Sequence, residues 1–563
     1  MLQNLSHAGA STAVEEILFS TPFGYMFPEL ASNPDHCLPT GQDTTRALLA
    51  LGTAMATDEL TTGSPSDTDT SSFFTYFGQF IDHDLTARTD RETETSEIFA
   101  PDGGALPIVP RAAAEVAATL RNGRRPQFDL DSVYGDGPAM LVDGSGAAGP
   151  GADTNAHALY DSTFRFRLQD VGPTVDLPRP DGRTALVADA RNDENVNVSQ
   201  LHAAFLSLHN AVMDGLAAEG VTGPTAYARA RQYVRWVYQY LVIEEYLKAV
   251  CLEQVVEDCL RNGPVFYGPV AGGEPLFMPL EFSVAAFRFG HSMIRPSYRM
   301  RGGTLTIMEI LGVSAADRHG GPDLLQPVPG ANPAHAFRLA VPNTVDWGQF
   351  FGTNAPNKAR RIDTSIAGGL GQLTFVAGGP SVMAHLAQRN LLRGFSLSMP
   401  TGQAVARACG VQPLTPVELT SGETPAIVDA LAAGLTGRTP LWYYVLREAA
   451  VQASGVTLGV VGSRIVAECL IGLLRKDPNS VLNQYGIARN VTKEGIVVPT
   501  AGGRRAIGGV EDFLRVAGVH VGKLPDVVGP MDRLTGGGAD GNGGNGNGRA
   551  AAGGKRSRGR RND

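Results

Sequence analysis

The stretch Phe73–Thr86, FFTYFGQFIDHDLT, sets Gln79, Asp82, His83 and Asp84 among Phe73, Phe77, Phe80, Ile81 and Leu85. The five apolar residues recur at spacings of three and four, which predicts a helix with a buried stripe. Gln79, Asp82 and His83 stand at i, i+3 and i+4 and share a second face, while Asp84 points elsewhere. An unpaired carboxylate in such a setting costs several kcal/mol or gives up its charge. The segment therefore needs partners from other parts of the chain.

Outward from this stretch, the chain from Ser71 to about Leu524 alternates helical patterns with long Gly/Pro loops. The clearest further helices are expected over Val198–Gly220, Ala226–Cys251 and Pro279–Ile294, with short strands near TLTIMEIL (Thr304–Leu311). No fixed-period repeat is present. The expected architecture is an N-terminal arm over 1–65, one large, mainly α domain with few short strands and long loops over 66–525, and a tail over 526–563. That tail is rich in Gly and Asn and cannot bury enough apolar area to offset its entropy. It is expected to be a disordered, solubilising tail with a basic end, Lys555–Arg561.

Composition narrows the class. Of 563 residues, 43% are hydrophobic and 18% charged, as in ordinary globular proteins. The net charge of −9 argues against nucleic acid as a partner. The five cysteines are scattered, without a CxxC pair, and read as free buried thiols rather than a disulfide framework or zinc site. No run approaches the roughly 18 apolar residues of a membrane span. The N-terminus shows neither a basic start nor a long apolar run, so no ordinary secretory signal is readable and the compartment stays open.

Three further stretches place polar residues against apolar helices. VADARNDENVNVSQLHAAFLSLHN (Val187–Asn210) holds Arg191 and Glu194; AAFRFGHSMIRP (Ala285–Pro296) holds Arg288 and His291; NGRRPQFDLDSVYGDG (Asn122–Gly137) holds Asp129 and Asp131 around Leu130. A lone histidine on such a helix is ordinarily a satisfied core residue. Together, however, a histidine with an arginine nearby is what peroxide activation requires: a base to move the proton and a guanidinium to stabilise developing charge. A second histidine on another helix can bind haem iron. His202 and His209, seven apart on one helix, read as structural rather than as metal ligands. Trp236, Tyr238 and Tyr240 read as core packing. DLDSVYGDG fails as an EF-hand, having Val133 and Tyr134 at its fifth and sixth positions.

GQFIDHDLT, ARNDEN…LHAAFLSLHN, AFRFGHSMIRP and DLDSVYG resemble, in order, the animal-type haem peroxidases of the peroxidase–cyclooxygenase superfamily, including its bacterial-type members. The similarity runs from about Gly41 to Leu524. The resemblance implies that His83 is the distal acid–base residue, Arg191 the distal arginine and Gln79 the glutamine that bonds distal water or halide. It implies that Asp82 and Glu194 form ester links to haem, that Arg288 pairs with a haem propionate, and that His291 is the proximal iron ligand. The family's proximal histidine is hydrogen-bonded by an Asn; in NLLRGFSLSMPTGQAVAR the candidate is Gln403. A sulfonium link is not expected, because Asn195 follows Glu194. Asp84 matches a Ca²⁺ ligand, joined by Asp129 and Asp131 through carboxylates and by Arg125 and Gln127 through carbonyls, hard donors that suit Ca²⁺.

The expected function is a haem peroxidase that reduces H₂O₂ and oxidises halide, thiocyanate or small organic donors. Two alternatives stand beside it. A fatty-acid dioxygenase or cyclooxygenase of the same fold needs a tyrosine three residues before the proximal histidine, where this chain has Arg288. A non-enzymatic haem-binding interaction protein would have no need to keep His83, Arg191 and His291 together.

Overall fold

The computed structural model describes residues 21–57, 67–87, 108–138, 158–180, 182–267, 276–314, 323–330, 336–373, 382–485 and 495–527. Among them stand seven helices of eleven or more residues: α1 (Gln42–Met55), α2 (Phe73–Leu85), α3 (Val196–Ala218), α4 (Gly223–Leu241), α5 (Leu386–Ser396), α6 (Leu441–Ala453) and α7 (Val460–Lys476). The described strands are short and mostly paired in twos. The one three-stranded sheet places Thr21–Gly24 between Arg121–Asn122, antiparallel, and Met278–Pro279, parallel. The fold is mainly α, with long connections, as the sequence implies.

Helix α2 forms where its stripe predicts. Phe73, Phe77, Phe80, Ile81 and Leu85 are each 1% exposed or less. Each such side chain contributes about 1.5–3 kcal/mol on burial. Phe80 stacks on Phe205 of α3, with centroids 4.9 Å apart and planes 5° apart, and meets Tyr238 of α4 edge-on at 6.0 Å. On the opposite side Gly78 lets a tyrosine in: a Cβ there would lie 2.5 Å from Tyr246 Oη. The helix ends at Thr86, whose backbone turns extended while its N–H and Oγ1 both donate to Asp82 O. Helix α3 is apolar around most of its circumference and accordingly lies in the interior, its N-terminus capped by Asn195 Oδ1, which accepts from Val198 N at 3.0 Å.

Three elements differ from the sequence expectation. Pro279–Ile294 is not one α-helix: Glu281–Ala285 is wound as a π-helix and Ala286–His291 as a 3₁₀-helix, with the break at Ala285. Both register changes are anchored by side chains that periodicity does not sense. Glu281 accepts from Met26 N at 2.8 Å and Phe27 N at 3.0 Å, and Phe282 stacks on Phe287 at 4.4 Å. Ala226–Cys251 likewise passes through a π-helical stretch, Val242–Tyr246. Such bulges are frequent at functional sites. Finally, the first 65 residues are not an arm over the part described: Leu48, Leu51 and Met55 of α1 are fully buried in the common core. Residues 1–20, 58–66 and the tail from 528 lie outside the described residues.

The five cysteines are unpaired, four buried and Cys409 half-buried. No described helix is long and apolar enough to cross a membrane.

Candidate functional site

A cavity of about 1420 Å³, open space at its mouth included, gathers Gln79, Asp82 and His83 of α2, Arg191 and Glu194 from the approach to α3, and Arg288 and His291 from the 3₁₀ segment. The remaining wall is apolar in the main, with Phe74, Ile294, Leu311 and Leu370 among its members.

His83 is 3% exposed. Its Nδ1 lies 2.9 Å from Asn192 Oδ1, and Asn192 is held in that sense because its Nδ2 donates to Ser132 O at 3.2 Å. An amide oxygen only accepts, so His83 carries its proton on Nδ1 and keeps the Nε2 lone pair. Nε2 faces Glu194 Oε1 at 3.8 Å. Burial, and then the Arg191 guanidinium, push the imidazole down to about 3, which keeps it neutral and able to accept. Gln79 is held at both ends, Nε2 donating to Glu194 and Oε1 accepting from Asn195 Nδ2 at 3.1 Å. Asp82 accepts from Thr86 Oγ1 at 3.0 Å.

Arg191 is fixed by a fork: Nε and Nη2 donate to the two oxygens of Asp189 at 3.0 and 2.6 Å, and Nη2 also reaches His83 O at 3.0 Å. Asp189 is 1% exposed and receives Arg124 as well. Burial alone would raise its carboxyl; the guanidiniums of Arg191 and Arg124 overcome this and hold it well below the usual range.

Around the second histidine the structure corrects the sequence. His291 Nδ1 lies 2.8 Å from Asn390 Nδ2, and Asn390 Oδ1 accepts from Arg288 Nη1 at 2.6 Å. Gln403 is occupied elsewhere: its Nε2 donates to Thr436 O at 3.1 Å and Thr439 Oγ1 at 2.8 Å, and its Oε1 accepts from Thr439 N. The residue beside His291 is therefore Asn390, which opens the same stretch of sequence. It sits on α5, and the residues at its flanks, Leu386, Arg389 and Arg393, line the cavity. Trp442 crosses His291 edge-on, and its Nε1 donates to Arg288 O at 3.1 Å.

Behind α2, one oxygen each from Asp84, Asp129 and Asp131 lie within 4.8 Å of one another, and the three residues are 0%, 4% and 1% exposed. Leu130, between two of them, adopts a left-handed φ of 56°. That conformation costs a leucine of order 1–3 kcal/mol, and it aims both flanking carboxylates at Asp84. The oxygens of Asp84 and Asp131 are buried without a hydrogen bond of normal geometry. Burial and the neighbouring carboxylates raise Asp84 well above its ordinary value, and burial pushes Asp131 up to about 7 against the pull of Arg124. An all-oxygen donor set, in which the buried oxygens of Asp84 and Asp131 accept no hydrogen bond of normal geometry, fits a Ca²⁺ ion. Arg125 pairs with Asp129 at 2.8 Å, and its carbonyl accepts from Gln127 N at 2.7 Å; Gln127 is half-buried.

His202 and His209 belong to no metal cluster among the described residues. His209 lies between Tyr134 Oη and Phe164 O, each at 3.1 Å, and burial lowers both histidines to about 4. Sequence reasoning missed Asp189, Asn192, Asn390 and Arg124. Asn192, Asn390 and Arg124 meet partners far along the chain, while Asp189 holds Arg191 two positions on and receives Arg124 across 65 positions.

The sequence profile described as animal haem peroxidase matches residues 166–428, a span that begins beyond α2 and the acidic cluster. Thyroid peroxidase of Mus musculus is 25% identical over 311 residues, 46% of this chain and 32% of that protein. A peroxidase-like protein of Margaritifera margaritifera is 26% identical over 290 residues, 46% of this chain and 36% of that protein. The matches thus span about a third of the length of these relatives. Among solved structures, peroxidase A from Dictyostelium discoideum superposes with a TM-score of 0.55 at 16% identity, covering 93% of this chain and 98% of that one. A fatty acid α-dioxygenase of Arabidopsis thaliana does so with a TM-score of 0.50 at 14% identity, covering 84% and 81%.

Proposed function

We propose that the chain is a member of the peroxidase–cyclooxygenase superfamily, a reading supported by the profile match over residues 166–428 and the thyroid peroxidase similarity, and that it is a haem-dependent peroxidase, reducing hydrogen peroxide while oxidising halide, thiocyanate or a small organic donor. The observation that carries the proposal is the convergence of His83, Arg191 and His291, from three separate segments, on the walls of one cavity. Bound haem supplies the redox chemistry; the side chains hold it and move protons.

In this reading His291 Nε2 is the iron ligand, so Nδ1 carries the proton and needs an acceptor. Asn390 meets that need when its carboxamide presents Oδ1, the oxygen that Arg288 otherwise occupies. The Arg288 guanidinium would then hold a haem propionate, and Asn390 would accept from His291 Nδ1. On the other side, His83 Nε2 takes a proton from peroxide and delivers it to the departing oxygen. Arg191 stabilises the charge that develops. Gln79 would position water or the donor anion, and Asp84, Asp129 and Asp131 would hold Ca²⁺, with Arg125 and Gln127 as carbonyl donors.

Asp82 and Glu194 are read as forming ester links to haem. Acid acetone is then expected to leave haem on the wild-type chain and to extract it progressively from Asp82→Ala, Glu194→Ala and the double variant. Free extraction from the wild type would refute the links.

The test of the proposal as a whole is the absorption spectrum of protein produced with haem, followed by H₂O₂ titration with bromide, thiocyanate or a phenol. A Soret band and donor-dependent peroxide consumption are expected. A protein that stays colourless after reconstitution, or one that consumes no peroxide with any donor, overturns it.

A further inference from the structure

Between the acidic cluster and the cavity runs an unbroken line of buried charge. Arg124, 3% exposed, stands between two carboxylates: Nη1 lies 3.6 Å from Asp131 Oδ1, and Nη2 donates to Asp189 Oδ2. Asp189 also receives the Arg191 fork, and Arg191 reaches back to His83 O. Asp131 belongs to the cluster and Arg191 to the cavity wall. Asp189 is thus shared by two guanidiniums, and Arg124 by two carboxylates. Sharing of this kind makes each hold depend on the other.

We propose that Arg124 is a positioning residue that couples the cation site to the cavity: a divalent cation at Asp84, Asp129 and Asp131 drives Arg124 off Asp131 and onto Asp189, which alters the hold of Asp189 on Arg191. This rests on the cation-site reading given above. The physical reason is competition. A cation repels the guanidinium and takes Asp131 from it, and the only other buried carboxylate in contact with Arg124 among the described residues is Asp189. Arg124 is bridged to both because a guanidinium presents two donor edges; a lysine ammonium at the same place keeps the charge but not the fork. By reciprocity, whatever changes the Arg191 side of Asp189 changes cation affinity.

The readout is Ca²⁺ affinity, measured by calorimetry on the full-length chain after chelator treatment. Arg124→Gln removes the competitor and is expected to tighten Ca²⁺ binding, within the order of 5–150-fold typical of coupled sites. Arg191→Gln leaves Asp189 to Arg124 alone, draws that guanidinium from Asp131, and is expected to tighten Ca²⁺ binding about fivefold, although Arg191 is not among the cluster residues. In an Arg124→Gln or Arg124→Lys background the same Arg191→Gln change should have a clearly smaller effect, because the bridge is gone. A residue of merely structural importance would not produce that non-additivity. The lysine variant carries the test should the glutamine variant fail to fold. An Arg191→Gln effect of equal size with and without Arg124, or unchanged Ca²⁺ affinity in Arg124→Gln, overturns the coupling. Absence of Ca²⁺ binding by the wild type removes the cation site and the coupling together, while the haem reading is decided separately by the Soret band.

Discussion

Replacing His83 by alanine is expected to slow the reaction of the haem-loaded protein with hydrogen peroxide by about 10²–10⁴-fold, the usual loss when a positioned acid–base group is removed. The size of the effect follows from how completely the structure prepares this imidazole. Asn192 fixes the proton on Nδ1, so the lone pair on Nε2 is already directed to the cavity side. Burial and Arg191 keep the ring neutral, so no fraction is lost to the protonated form at ordinary pH. Alanine abolishes both the acceptor and the donor that the same atom becomes after taking the proton. Glu194, 3.8 Å from Nε2, is an ionisable group that could substitute, and an ester link would remove its charge, so the residual rate should fall further in a His83→Ala chain whose haem is fully linked. Stopped-flow spectra of the Soret region after mixing with peroxide give the rate, and the band before mixing shows that haem is seated normally. A near-normal rate in a variant with normal haem content would exclude His83 from the role.

Arg191→Leu is expected to lower kcat/KM for peroxide by about 10²–10³-fold, the loss typical of removing one fixed donor from a site of developing charge. The guanidinium is held by three contacts, two to Asp189 and one to a backbone carbonyl, so it has no reorientation to undergo when charge appears. Leucine keeps approximate bulk and removes the donors. Arg191→Lys separates two contributions: the ammonium keeps the positive charge but cannot engage both oxygens of Asp189 while also facing the cavity. It should recover only part of the lost rate. Full recovery by lysine would show that charge alone suffices and that the Asp189 fork has no catalytic consequence; an unchanged rate in Arg191→Leu would remove the residue from the mechanism.

The sequence by itself carried the mainly α class, the buried stripe of α2, and the grouping of Gln79, Asp82 and His83 on one face with Asp84 on another, because helical periodicity records which side chains turn to the same surface. It also carried the residues around Arg191, Glu194, Arg288 and His291, through local motifs. Tertiary structure alone decided the partners. Asn390 rather than Gln403 meets His291 across 99 positions, Asn192 meets His83 across 109, and Arg124 meets Asp189 across 65. Such contacts leave no trace in spacing, since each depends on how separate elements dock. The π-helical turns at Glu281–Ala285 and Val242–Tyr246 were equally invisible, because a shift of one residue in hydrogen-bond register alters direction without altering composition. Local pattern sets which faces are buried; only packing sets which polar atom on one face meets which atom on another.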